Sequence, residues 1–109
     1  MTVVEIARVF GLADDSTVYR SIESIEASAI ATRILCADLA YNSKIMCVSR
    51  AGDLWRQFMA LFDGQDVEFA SNTGTVPDSW TPATQATFDM GVLVMGANKT
   101  GCLWVEDED

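Results

Sequence analysis

The sequence predicts an α+β domain in which N-terminal helices, one of them long and central, pack on a small C-terminal antiparallel sheet or hairpin. Three observations point there. Apolar residues recur at helical spacing through residues 17–41, and no Gly or Pro interrupts residues 12–51. Val67 and Phe69 alternate with Asp66 and Glu68, the period of a half-buried strand. Two apolar runs, residues 91–95 and 102–105, flank Gly96-Ala97-Asn98-Lys99-Thr100-Gly101, which reads as a hairpin turn. Helices first and strands last, without a repeat or a linker, suggest helices on one face of an antiparallel sheet, in one globular domain over residues 1–109.

The first helix is expected at residues 3–10. Thr2-Val3-Val4-Glu5 has capping-box spacing, Val3, Ile6, Ala7 and Phe10 follow at helical intervals, and Gly11 stands at the C′ position. Ala13-Asp14-Asp15-Ser16-Thr17 is a polar break rich in N-cap residues. A long helix is then expected over 17–41. Its stripe is Val18, Ile22, Ile25, Ala29, Cys36 and Leu39, widened by Ile30, Ile34 and Leu35. Residues 44–50 suit a strand or a continuing helix, because periodicity does not arbitrate so short a run. Ala51-Gly52-Asp53 reads as a break and a new cap. Leu54, Trp55, Phe58, Leu61 and Phe62 then share one helical face, ended by Gly64, and that face is either deeply buried or held against a partner.

Residues 71–79 have loop chemistry throughout. Thr81-Pro82 offers an N-cap followed by proline at the first helical position, which predicts a short helix over 82–88. The strand at 91–95 is apolar at every position after Gly91 and is expected to be buried on both faces. Asn98 and the glycines beside it are expected to supply the positive φ of the turn.

Charge is unevenly placed. Residues 1–60 carry seven acidic against six basic side chains, whereas residues 61–109 carry nine acidic side chains and only Lys99. The second part therefore holds eight of the nine net negative charges. Dispersed basic residues and an acidic balance argue against direct nucleic-acid binding and against anionic membrane surfaces. They favour a basic protein partner, reached by electrostatic steering. The expected surface comprises Asp63, Asp66, Glu68, Asp78, Trp80, Glu106, Asp107, Glu108 and Asp109. Trp80 is included as a candidate anchor in a polar loop, with a lid over the core as its alternative. The run Glu106-Asp107-Glu108-Asp109 is expected to be solvated and frayed. If its strands share a sheet face, Asp66, Glu68 and Glu106 would lie together.

Enzyme chemistry finds little to build on. The chain has no histidine, no phosphate-binding glycine loop and no Cys-x-x-Cys. No catalytic residue, metal ligand or cofactor site is assigned. Asp14 and Asp15 would face phosphate in a helix-turn-helix, which disfavours that reading. Cys36, Cys47 and Cys102, odd in number and widely spaced, read as buried thiols of a cytoplasmic protein. No signal peptide is apparent, and no segment approaches the roughly 20 apolar residues of a membrane span.

In size, acidity and lack of catalytic residues the chain resembles the small inhibitors that phages encode against host defence systems, such as anti-CRISPR proteins. The resemblance is one of composition and covers no motif. Three readings follow. The first is a non-enzymatic acidic protein, in effect a nucleic-acid mimic, that docks on a basic protein surface and inhibits or masks it. A nucleic-acid-binding protein would be its natural target. The second is a homo-oligomeric assembly module, a homodimer for instance, joined through the helix face of Leu54, Trp55, Phe58 and Phe62 or through the hairpin edge. The third is a small ligand-binding domain or enzyme that uses carboxylates.

Overall fold

The computed structural model describes residues 2–76 and 79–108. In chain order these form α1 (Val3–Val9), a 3-10 turn (Ser16–Val18), β1 (Arg20–Ile22), α2 (Ser24–Cys36), α3 (Val48–Ala60), β2 (Glu68–Ser71), β3 (Phe88–Met95) and β4 (Thr100–Asp107). The four strands make one antiparallel sheet in the order β1-β2-β3-β4. The fold is α+β.

α1 forms as its sequence dictates. The Thr2 hydroxyl accepts the Glu5 N–H while the Glu5 carboxylate accepts the Thr2 N–H, which completes the capping box. At the other end the Gly11 N–H reaches Arg8 O at 3.1 Å and the Leu12 N–H reaches Ala7 O at 2.8 Å, a Schellman pair around a glycine at φ 76°.

The long helix expected at 17–41 is divided. Its first part is the 3-10 turn and β1, and the helix proper begins only at Ser24. Ile22 pairs with Phe69, and Arg20 with Ser71. Arg20 is held there by its side chain, whose Nε donates to Thr73 O at 2.5 Å and whose guanidinium also pairs with Glu26. The buried stripe of α2 is Ala27, Ala31 and Ile34, with Ile30 packed beside it. Ile25, expected on the stripe, is 84% exposed, and Ala29 is exposed as well. After Cys36 the chain turns back. Ala37 bridges Lys44, the Ile45 N–H caps Cys36 O at 2.7 Å, and Asn42 takes φ 57° in the turn between them.

Residues 44–50 are neither one strand nor one helix. Lys44 makes the isolated bridge and α3 starts at Val48, running through Ala51-Gly52-Asp53 without the expected break. The helix expected at 82–88 is absent. Residues 83–87 are bends, and β3 begins at Phe88.

The sheet is covered on both faces, not on one. On one face Phe69, Val92 and Val94 pack with Ala27 and Ala31 of α2 and with Trp55 and Phe62 from α3 and its end. On the other, Ala70 and Leu93 pack with Ile6 and Ala7 of α1. This double cover is why β3 is buried from Asp89 to Val94 and why β2, expected to alternate, is buried from Phe69 to Ser71. The β3–β4 hairpin pairs residue for residue from Phe88↔Asp107 to Met95↔Thr100. Its turn contains no positive φ, contrary to expectation. Gly101 instead makes room for the helix layer: a Cβ there would stand 2.8 Å from Phe58 and 2.9 Å from Phe62.

Candidate functional site

Six acidic residues border two clefts at opposite ends of the sheet. Glu68 opens β2 opposite Met95, which pairs with Thr100 at the start of β4, whereas Glu106 pairs with Asp89 at the other end. Thr100 and Glu106 are six residues apart along one strand, roughly 20 Å at about 3.3 Å per residue. Asp66, Glu68 and Glu106 therefore do not form the single patch that a shared sheet face suggests.

The first group surrounds a cleft of about 590 Å³ lined by Glu23, Asp66 and Glu68 together with Ser21, Ser24 and Gln65. Among the described residues no Lys or Arg lines it. Three local structures build it. The end of β1 and the uncapped start of α2 present Glu23, whose side chain makes no capping bond. The turn after α3 presents Asp66, and the first residue of β2 presents Glu68. All three carboxylates are exposed. Asp63 is exposed at the end of α3 but does not line the cleft. Glu23 escapes a sequence reading that places it off-stripe inside a long helix. Only the strand at 20–22 brings it to the sheet end.

The second group borders a larger cleft of about 920 Å³ that includes Arg8, Asp14, Glu106 and Glu108. Arg8 pairs with Asp14 at 3.5 Å, so this cleft is mixed in sign. The acidic run here is not frayed over residues 106–108. Glu106 and Asp107 belong to β4, the Asp107 carboxylate accepts the N–H groups of Leu39 and Ala40 at 3.1 and 3.2 Å, and Glu108 accepts the Thr87 N–H at 3.2 Å. Asp78 and Asp109 lie outside the described residues.

Trp80 is half-buried and lies against Phe88, ring centroids 5.5 Å apart, beside a cavity of about 160 Å³ lined also by Arg33, Leu39 and Met90. The loop thus carries its aromatic folded against the sheet. Trp55 and Phe62, candidates for an oligomer face, are buried in the chain's own core at 7% and 4% exposure, with Phe58 partly buried against them. Leu54 is half-buried and Leu61 is exposed.

Among the described residues the most deeply buried charge-bearing group is Asp89, a residue no motif marks. It is fully buried. Its carboxylate accepts Asn72 Nδ2 at 2.9 Å, Ala83 N at 3.1 Å, Thr84 N at 3.4 Å, Thr84 Oγ1 at 3.1 Å and Trp104 Nε1 at 3.2 Å. Those donors fix residues 81–86 over the sheet end. The N–H groups that a helix at 82–88 would leave unpaired are taken by this carboxylate, without the helix. Its donors are all internal, so the arrangement is an anchor for the loop. The nearby Tyr19 phenol is pushed up to about 12, first by burial and then by the charge of Asp89. Cys102 is raised to about 11 by burial. Among the described residues no three His, Cys, Asp or Glu side chains converge as a metal-holding group, and no helix is long and apolar enough to cross a membrane. No family model, curated protein or solved structure matches the chain.

Proposed function

We propose that the protein is a non-enzymatic binding protein that docks on a basic surface of a protein partner and masks it, using the cleft of Glu23, Asp66 and Glu68. The observation that carries this reading is the composition of that cleft: three exposed carboxylates from three separate elements, and no basic residue among the described lining. Such a concentration of one sign raises the encounter rate with a cationic surface and repels an anionic one. A partner that ordinarily binds nucleic acid supplies the required lysines and arginines, with carboxylates standing where phosphates would lie. The acidic group at Glu106 and Glu108 is less suited, because Arg8 lies within it.

The test is affinity capture from the source organism's extract with the native chain and with a Glu23→Gln/Asp66→Asn/Glu68→Gln variant as paired baits. A basic protein retained by the first and lost from the second supports the reading. Its association rate with the native chain should then fall at least about tenfold between low and physiological salt. A partner that both baits retain equally, with a rate indifferent to salt, overturns it. The three side chains are exposed, so the variant should melt within about 0.5 kcal/mol of the native chain.

A further inference from the structure

The two edges of the sheet are not alike. β1 ends the sheet with three residues, and so short an edge offers little to pair with. β4 ends it with eight, contains no proline, and pairs with β3 without a bulge. Its centre, Gly101-Cys102-Leu103-Trp104-Val105, carries no charge. None of the devices by which proteins blunt an edge strand stands in that stretch.

The direction of its backbone groups follows from Gly91. The Gly91 N–H donates to the Asn72 side-chain oxygen at 3.2 Å and its C=O accepts the Ser71 hydroxyl at 2.7 Å, so both point toward β2. The Asp89 C=O likewise accepts Asn72 Nδ2 at 3.0 Å. In an antiparallel ladder the residue opposite one that turns away from the pair also turns away. Trp104 is opposite Gly91 and Glu106 is opposite Asp89. By the same alternation Thr100, Cys102, Trp104 and Glu106 aim their N–H and C=O groups out of the free edge. Among the described residues no backbone hydrogen bond outside the β3–β4 ladder reaches these four.

We propose that this edge pairs with the β4 edge of a second copy of the chain, antiparallel and centred on Leu103, to give one continuous sheet through a two-fold dimer. The occupant is chosen by charge. Around a two-fold axis at Leu103, Lys99 of each copy stands opposite Asp107 of the other, whose carboxylate also accepts the Leu39 and Ala40 N–H groups of its own chain, and Thr100 opposite Glu106. Lys99 is exposed and makes no ion pair among the described residues. It is also the lone basic residue of the chain's second part. Centring on Cys102 instead puts Lys99 opposite Val105, and the two ion pairs vanish. Opposite charges directly across a pair of strands favour a register, and like charges disfavour it. The general repulsion between two acidic chains is screened beyond about 8 Å at physiological salt, whereas cross-strand neighbours lie within that distance.

Sedimentation equilibrium of the full chain at physiological salt, from micromolar to millimolar, tests this. A monomer–dimer equilibrium is expected. Lys99→Glu should weaken it at least tenfold, because two ion pairs become two repulsions. Thr100→Lys should tighten it, because each new lysine faces Glu106 of the other copy. Amide exchange at rising concentration should slow at Thr100, Cys102, Trp104 and Glu106, while Leu103, already bonded to β3, changes little. A chain that stays monomeric to millimolar concentration overturns the proposal. So does a dimer whose constant neither substitution moves, since that dimer is joined elsewhere. Unchanged melting of both variants when dilute shows that the fold itself is intact.

Discussion

The indole N–H of Trp104 meets the buried carboxylate of Asp89 at 3.2 Å, diagonally across the β3–β4 pair. That bond ties the outer strand to the group that fixes residues 81–86. It also lays the indole ring over Gly91, in contact with the position a Cβ would occupy. Two stability predictions rest on this corner.

Asp89→Ala removes the shared acceptor of Asn72, Ala83, Thr84 and Trp104 and leaves buried donors unpaired. A loss of about 3 kcal/mol or more is expected. That corresponds to a fall of at least ~10 °C in Tm for a domain of this size. Asp89→Asn keeps one oxygen and sets an NH₂ against donors, so it should fall between the native chain and the alanine variant. Thermal melts followed by circular dichroism check the order.

Gly91→Ala and Gly52→Ala should move stability in opposite directions. At Gly91 the new methyl meets the Trp104 ring and, at 2.5 Å, the backbone oxygen of Leu103, which cannot swing away. Overpacking of this kind costs about 1–3 kcal/mol. At Gly52, inside α3, the nearest atom is the flexible end of Arg56 at 3.5 Å. Helix propensity then favours alanine by roughly 0.5–1 kcal/mol. Denaturant titrations of the two variants read both signs.

Tyr19 should titrate late. Its folded value of about 12, against an ordinary 10.0, means that the fold favours the neutral phenol. The corresponding stability is fully present below pH 10 and is lost as pH rises through 12. The phenol also donates to Ala13 O at 2.5 Å, so ionisation breaks that bond. Tyrosinate absorbance should show a late component that disappears in Tyr19→Phe.

The thiols should separate by rate. Cys102 is half-buried and its pKa is raised to about 11, so little thiolate forms at pH 8. Cys47 is exposed just before α3. Alkylation at pH 8 followed by peptide mapping should label Cys47 at least tenfold faster than Cys102. In denaturant the difference should collapse.

Residues whose local pattern suits one structure adopt another where a tertiary partner competes. Val18 and Ile22 are four apart, a spacing that serves both a helical face and every second residue of a strand. Pairing with Phe69, 47 positions away, decides for the strand. Thr81-Pro82 is sound helix-start chemistry, but Asp89 takes the Ala83 and Thr84 N–H groups first. Ile25 and Ala29 fit the stripe of a helix beginning at 17, whereas a helix entering from β1 turns Ala27 and Ala31 inward instead. The candidate surface suffered in the same way. Glu68 opens β2 and Asp66 precedes that strand instead of alternating within it, and their companion is Glu23 and not Glu106.

What the sequence determined by itself was a set of features whose signals lie close together in the chain. That includes the capping box and glycine terminus of α1, the β3–β4 hairpin, and the double-sided burial of β3 implied by its unbroken apolar run. It also determined the excess of acid in the second part. Only the tertiary structure decided that residues 20–22 are a strand, that α1 covers the second face of the sheet, and that the acids divide between its two ends. Each of those depends on hydrogen bonds and apolar contacts between residues tens of positions apart. Such contacts outweigh local propensities worth only tenths of a kcal/mol per residue.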